Sequence, residues 1–137
     1  MGRILAIDYG RKRTGLAVTD PSQIIASPLE TVPTHDVVPF LKKYQSTEAI
    51  ESIVIGMPKN LQNRDTDSTP YVRTFITLLK KEFEGLDIHE VDERFTSKIA
   101  FDAMIAGGMK KSERRKKENV DKLSATLILQ SYLEARK

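Results

Sequence analysis

The sequence predicts a mixed α/β fold in which a five-stranded sheet carries helices on both faces. Three strand-like segments come first, and helices then alternate with two further strands. The first strand is apolar on both faces, with Ile4 and Ala6 on one face and Leu5 and Ile7 on the other, as expected for a strand in the middle of a sheet. The order βββ-α-β-α-β-α-α therefore predicts a single domain over residues 1–137.

A β-hairpin opens the chain. The first strand lies within Arg3–Gly10, and Gly10 and Gly15 bracket a basic turn, Arg11-Lys12-Arg13. A second apolar run, Leu16-Ala17-Val18, follows the turn. Two apolar runs separated by a short segment with glycine at both ends are typical of a hairpin.

The other elements are predicted from apolar periodicity, capping residues and turn residues. The third strand is predicted at Ile24–Val32, and its Pro28 places it at an edge of the sheet or ends its pairing early. A helix follows from Thr34-His35-Asp36 and includes Val37, Val38, Leu41 and Tyr44. The remaining elements are a strand at Glu51–Gly56, a helix from Thr69-Pro70 that ends before Gly85, a strand at Leu86–Arg94, a helix from Thr96 or Ser97 to about Ile105, and a last helix capped by Asn119.

The composition is that of a soluble globular protein. Hydrophobic residues make up 39% of the 137 residues and charged residues 30%, and cysteine is absent. No apolar run approaches the length of a membrane span, and no secretory signal precedes the first strand. These features predict a cytoplasmic protein that does not associate with membranes.

Positive charge is concentrated in one segment. The net charge is +3, but Met109–Lys117 alone holds six Lys or Arg against one Glu, so this segment carries +5 and the rest of the chain −2. A local basic patch of this kind favours contact with a polyanion such as nucleic acid.

Four ordered motifs resemble the YqgF family, also called RuvX, whose members are described as RuvC-like resolvases or pre-16S rRNA nucleases. The resemblance spans nearly the whole chain and departs only slightly from the family pattern, with Asn63 near a common Gly and Ser124 at a common Ala. The motifs are Asp8-Tyr9-Gly10 with Gly15-Leu16-Ala17-Val18 and Asp20, Gly56-Met57-Pro58, Val91-Asp92-Glu93-Arg94-Phe95-Thr96-Ser97, and Asp121-Lys122-Leu123-Ser124-Ala125 with Ile128-Leu129-Gln130.

The resemblance implies a ribonuclease H-like fold and a metal-dependent nuclease that acts on structured nucleic acid. It implies processing of the 5′ end of pre-16S rRNA, with cleavage of four-way DNA junctions as the alternative. It leaves the oligomeric state open between monomer and homodimer. The sequence offers few aromatic residues that we expect to be exposed for stacking on bases. We therefore expect the protein to recognise the backbone and the shape of its nucleic acid.

Three carboxylates are the candidate catalytic residues and metal ligands: Asp8, Glu93 and Asp121. Two-metal phosphodiester hydrolysis needs several carboxylates around two divalent ions about 4 Å apart, and hard ions such as Mg²⁺ or Mn²⁺ prefer oxygen ligands. The sequence does not show that the three meet. The resemblance implies it, since ribonuclease H-like nucleases take acidic residues from the first strand, a later strand and the last helix.

Each carboxylate also has an ordinary structural explanation. Asp121 near a helix start is stabilised by the helix dipole, and Glu93 beside Arg94 fits a surface ion pair. A buried Asp8 could be satisfied by the Gly10–Arg13 backbone. Glu118 falls before the predicted helix cap, which argues against it as a further ligand.

Two basic clusters are candidate nucleic-acid-binding sites. Each could instead be a solvated surface, as a hairpin tip or a charged connector. The clusters are Arg11, Lys12 and Arg13 in the first turn, and Lys110, Lys111, Arg114, Arg115, Lys116 and Lys117 before the last helix.

Two other classes of protein compete with the nuclease. The Asp8-Tyr9-Gly10 turn also fits the ATPases of the sugar kinase, Hsp70 and actin superfamily, but those proteins need two such domains and 137 residues provide one. A non-catalytic nucleic-acid-binding module is the second competitor, and retention of all three carboxylates argues against it.

Overall fold

The computed structural model describes residues 2–57, 69–92 and 117–136. These residues form one sheet of five strands, three α-helices and one 3-10 helix. The strands are β1 (Arg3–Tyr9), β2 (Arg13–Thr19), β3 (Ala26–Pro33), β4 (Ile50–Met57) and β5 (Asp87–Asp92); the helices are the 3-10 helix Thr34–Asp36, α1 (Val37–Thr47), α2 (Thr69–Glu82) and α3 (Lys117–Arg136). The helix predicted from Thr96 or Ser97 to Ile105 lies outside the described residues.

The sheet is mixed, with strand order β3-β2-β1-β4-β5. Strand β2 pairs antiparallel with β1 and with β3, whereas β4 pairs parallel with β1 and with β5. Strand β1 is central, and Ile4–Ile7 are fully buried. This arrangement confirms the predicted fold, since three antiparallel strands precede the parallel pairings.

Two apolar cores cover the two faces of the sheet. On one face, Leu5 and Ile7 pack with Leu41 of α1 and with Phe75 and Leu79 of α2. The other face is built from smaller residues, and α3 covers it. Its core consists of Ile4, Ala6, Ala17, Val54, Ala125, Ile128 and Leu129.

Glycine and proline lie where the sequence predicts breaks. Gly85 follows α2 with a φ of +92°, a conformation that glycine adopts without strain. Pro28 lies in β3, which is an edge strand. Proline has no backbone N–H to donate, and an edge strand tolerates this because one of its sides has no partner strand. The β2–β3 register shifts between Leu16 and Ala17, and pairing then continues past Pro28 to Ala26.

Two predicted boundaries were wrong. Arg13 is not a turn residue: it begins β2 and pairs with Pro33 at the end of β3, a contact that the sequence around Arg13 does not indicate. Helix α3 begins at Lys117, so Asn119 is inside the helix and does not cap it. Lys117 and Glu118 are favourable helix residues, and no breaker separates them from the rest of α3. Glu118 therefore lies in the first helical turn.

No helix within the described ranges has both the length and the apolarity needed to cross a lipid bilayer.

The packing of α2 predicts a sharp difference between two adjacent leucines. Leu79 is fully buried against the sheet, whereas Leu78 is 41% exposed. We expect Leu79→Ala to lower the free energy of unfolding by about 2 to 5 kcal/mol, because it leaves a cavity. Leu78→Ala is the matched control and should cost far less. Urea denaturation measures both, and equal losses would contradict the orientation of α2.

Candidate active site

Asp8 is the penultimate residue of β1, on the sheet face that α3 covers. It follows the fully buried residues Ile4–Ile7 but is itself only partly buried. The expectation of a buried Asp8 is corrected accordingly: the strand emerges from the core at this point, and solvent reaches its end. Partial exposure lowers the cost of an ionised carboxylate.

Glycines flank Asp8 on both neighbouring strands. Gly15 of β2 is its direct cross-strand partner. On β4, Ile55 pairs with Ile7, so Gly56 is the next residue in the parallel register. Directly opposed residues share a sheet face, and neither glycine has a side chain to cover the carboxylate. The positions beside Asp8 on β2 and β4 therefore carry no side chains.

Three strands end at the edge where Asp8 lies. Strands β1, β4 and β5 run parallel, and Met57 at the end of β4 pairs with Asp92 at the end of β5. Strand β5 lies two strands from β1, about 10 Å across the sheet. Glu93 is bonded to Asp92 but lies outside the described residues.

Helix α3 packs directly on the sheet. Ala125 and Ile128 are fully buried against the Ile4 and Ala6 face. These two residues follow Asp121 at intervals of four and seven, the spacing of one helix face. Asp121 is the fifth residue of α3, and its side chain lies outside the described part of the chain.

The orientation of α3 follows from the groove at its C-terminal half. Leu127 and Leu133 line this groove together with Ala26 at the start of β3. Ala26 pairs with Thr19 at the end of β2, which lies beside the start of β1. The C-terminal half of α3 is thus near the start of β1, and its N-terminal turns lead toward the end that carries Asp8.

The basic β1–β2 turn is held by hydrogen bonds from outside the hairpin. Thr34 Oγ1 donates to the Gly10 carbonyl at 2.5 Å, and Thr34 N donates to the Lys12 carbonyl at 3.0 Å. The Tyr71 hydroxyl donates to the Arg11 carbonyl at 3.4 Å. Glycine is required at position 10, since a Cβ there would lie 2.3 Å from the Arg13 carbonyl oxygen. The turn is therefore a fixed element with exposed Arg11 and Lys12 side chains.

Sequence reasoning missed the residues that hold this turn. Thr34 lies at the start of the 3-10 helix, and Tyr71 lies in α2, 60 positions from Arg11. Their hydroxyls form tertiary contacts that no local pattern indicates. The one available signal was Thr34 itself, which the sequence placed at the start of a predicted helix.

The second basic cluster lies mostly outside the described residues. Of its six basic residues, only Lys117 falls within a described element, as the first residue of α3. It is therefore part of a helix and not of the predicted connector. Lys110, Lys111, Arg114, Arg115 and Lys116 lie outside the described ranges.

Within the described residues, no three His, Asp or Glu side chains come together as a metal site. Asp8 is the only one of the three candidate carboxylates whose side chain is described. His35 lies 3.5 Å from Asp36 on the surface, and the His89 ring packs 5.2 Å from the Tyr132 ring. Both histidines therefore have structural contacts.

The fold is that of RuvC-type proteins. The structure resembles that of Thermus thermophilus RuvC in complex with a Holliday junction substrate, with a TM-score of 0.58 over 98% of this chain and 95% of that chain, at 16% identity. This likeness establishes the ribonuclease H-like fold predicted from the strand order.

The chain belongs to the RuvX family, whose model is described as "Holliday junction resolvase" and matches residues 2–135. A protein of Phocaeicola vulgatus is 50% identical over all of this chain and 99% of its own length. One of Amoebophilus asiaticus is 51% identical over all of this chain and 97% of its own length. Both are named "Putative pre-16S rRNA nuclease". The resemblance seen in the sequence motifs is confirmed.

The turn geometry predicts the effect of removing one hydroxyl. Thr34→Val deletes the donor to the Gly10 carbonyl and the 3.0 Å contact with Thr14 Oγ1, while the backbone bond to Lys12 remains. We expect a loss of about 1 kcal/mol in unfolding free energy and faster amide exchange at residues 11–13 by hydrogen–deuterium exchange. Thr77→Val is the control, since Thr77 bonds only within α2. Unchanged exchange in Thr34→Val would refute the bracing role.

Proposed function

We propose that this chain is a metal-dependent nuclease that hydrolyses phosphodiester bonds in structured nucleic acid, with precursor 16S rRNA as its substrate. The observation that carries the proposal is the position of Asp8, partly exposed at the end of a buried strand and flanked by Gly15 and Gly56. Family membership and the names of the relatives support the reaction and the substrate. Because the relatives are bacterial, the proposed location is the cytoplasm, where their precursor rRNA is found.

The residues at this end of the sheet fit a divalent cation. Asp8 offers oxygen donors, which Mg²⁺ and Mn²⁺ prefer, and the residues beside it on β2 and β4 are glycines. Asp8, Glu93 and Asp121 would hold the ions, with Asp8 from β1, Glu93 as the residue that follows β5 in the sequence, and Asp121 from α3. When bound, two such ions activate a water molecule and stabilise the leaving oxygen.

Basic side chains of the β1–β2 turn would bind the substrate beside the metal site. The fixed turn holds Arg11 and Lys12 one and two residues beyond Gly10, where the two cations would bind substrate phosphates. Arg13, which begins β2, would add positive charge next to them. Because the turn is already ordered, its ordering costs no conformational entropy when the substrate binds. We propose that all of these residues act within one domain.

Cleavage of four-way DNA junctions is the second candidate. The description of the family model, "Holliday junction resolvase", favours it. The two candidates share their chemistry and differ in the shape of the substrate.

A single cleavage assay tests the proposal. Purified protein is incubated with an end-labelled transcript that carries the 16S precursor extension, with the mature-ended transcript, and with a four-way DNA junction. We expect cleavage of the precursor alone in Mg²⁺ or Mn²⁺ and none in EDTA. Cleavage of the junction alone would favour the second candidate. Binding without cleavage in either metal would identify a non-catalytic module.

The role of Asp8 is tested by Asp8→Asn. We expect cleavage to fall more than about 100-fold, because losing a direct ligand should exceed the cost of losing an outer-shell partner, while binding persists. Asp20→Asn is the matched control. Asp20 lies past the other end of β2, and its carboxylate accepts N–H bonds from Ile25, Ile24 and Ser22, which hold its pKa below the usual value. Full activity in Asp8→Asn would eliminate the metal-ligand role.

The second basic cluster, whose last member Lys117 is the first residue of α3, is expected to bind phosphates. Replacing Lys110, Lys111, Arg114, Arg115, Lys116 and Lys117 by Ser or Gln should flatten the dependence of log affinity on log salt. The slope should fall by about 0.7 to 0.9 for each phosphate that the protein no longer binds. Filter binding across a salt series measures it, and Lys43, Lys80 and Lys81→Gln, on exposed parts of α1 and α2, serve as the control. An unchanged slope would make the cluster a solvated segment.

A further inference from the structure

A groove of about 650 Å³ opens at the same end of the sheet as Asp8 but on the opposite face. Its base is apolar and aromatic, from Tyr9, Tyr71, Phe75 and Leu78, and its rim carries Arg11 and Lys12. Tyr9 packs with the core beneath α1 and α2, whereas its neighbour Asp8 lies on the face covered by α3. The groove is therefore separate from the candidate metal site, although one peptide bond joins them.

Three aromatic rings form the base of this groove. The Tyr9 and Phe75 rings stack with centroids 3.9 Å apart, and the Tyr71 ring packs against Tyr9 at 5.0 Å. Burial raises the pKa of the Tyr9 phenol, and a hydrogen bond to Tyr71 raises it further. The Tyr71 hydroxyl in turn donates to the Arg11 carbonyl. Both hydroxyls thus have partners within the protein, which fixes the rings.

The Tyr71 ring is only partly buried, so a planar ligand could stack on it. The apolar surface next to it includes Leu78, which is 41% exposed. Together with the ring, Leu78 gives this side of the groove an apolar lining.

The rim of the groove favours an anionic ligand. The Arg11 guanidinium lies 5.7 Å from the centre of the Tyr71 ring, within the range of a cation–π contact. Lys12 is exposed next to it, and Thr34 fixes the turn that carries both cations. Among the described residues that line the groove, none is acidic.

A flat aromatic surface beside two fixed cations matches the chemistry of a nucleotide. We propose that this groove binds one unpaired nucleotide of a single-stranded segment in the RNA substrate, with the base stacked on Tyr71 and a phosphate held by Arg11 or Lys12. Aromatic stacking beside a positively charged backbone path is a common basis of single-strand binding. The inference deepens the proposed nuclease function and depends on it for the identity of the ligand.

The test measures binding without cleavage. A fluorescent single-stranded RNA oligonucleotide and the fully paired duplex of the same sequence are titrated with protein in EDTA, and anisotropy gives the affinities. We expect Tyr71→Leu to weaken single-strand binding by about 5- to 150-fold, the range for losing one base stack. Duplex binding should change little, because paired bases are already stacked.

Tyr71→Phe separates stacking from structural support. It keeps the ring but loses the hydroxyl that bonds Arg11, so stacking predicts binding within about twofold of the unmodified protein. Arg11→Gln with Lys12→Gln should lower the salt slope by about 0.7 for each phosphate that these side chains hold in the unmodified protein. Equal losses in Tyr71→Phe and Tyr71→Leu would make the effect structural and overturn the proposal. Unchanged binding in Tyr71→Leu would overturn it as well.

Photocross-linking tests the groove without any variant, so the result does not depend on whether a variant folds. The unmodified protein is irradiated with the same oligonucleotide carrying 5-iodouridine, and mass spectrometry locates the adducts. We expect adducts on Tyr71 or Tyr9, and adducts confined to other regions would refute the groove as the site. If no nucleic acid is cleaved in any metal, the nuclease proposal fails while these binding results still decide the groove.

Discussion

Residues Ile4–Ile7 are fully buried, two against each helical layer, and their strand has a paired neighbour on both sides. Unpaired charge is costly in such an environment, so the polar groups of β1 lie at its ends. Asp8 follows the last buried residue and is the first acidic side chain that β1 presents to solvent. The burial that makes β1 central also determines where its carboxylate emerges. Because β4 and β5 run parallel to β1, the ends of three strands lie at this edge.

The turn after β1 has a second structural role. Its carbonyls at Gly10, Arg11 and Lys12 all accept hydrogen bonds from residues outside the hairpin. These hydrogen bonds hold the backbone of the turn in one position, so the Cα atoms that carry its cationic side chains are also held in place. Since Thr34 begins the 3-10 helix and Tyr71 belongs to α2, the turn also joins the sheet to two helical segments.

The sequence predicted the order and type of the described elements because their signals are local. Apolar runs such as Ile4–Ile7 indicate a buried strand without reference to the rest of the chain, and Val72, Phe75 and Leu79 repeat at helical spacing. Features that depend on distant partners were not predictable. Arg13 belongs to β2 because Pro33 pairs with it, and Tyr9 stacks on Phe75 across 66 positions of sequence. Likewise, Gly15 and Gly56 lie beside Asp8 only in the folded sheet.

At the end of β1, an acidic and an aromatic side chain lie on opposite faces of the sheet. Consecutive side chains point to opposite faces, so the carboxylate of Asp8 and the ring of Tyr9 cannot share a surface. The core toward α3 combines alanines from the sheet and the helix with larger aliphatic residues. At this end of the sheet, the face toward α2 carries the rings of Tyr9, Tyr71 and Phe75, which line an open groove. A strand of nucleic acid that crosses this edge would meet the proposed metal ligand Asp8 on one side and the proposed stacking surface on the other, with the fixed turn between them.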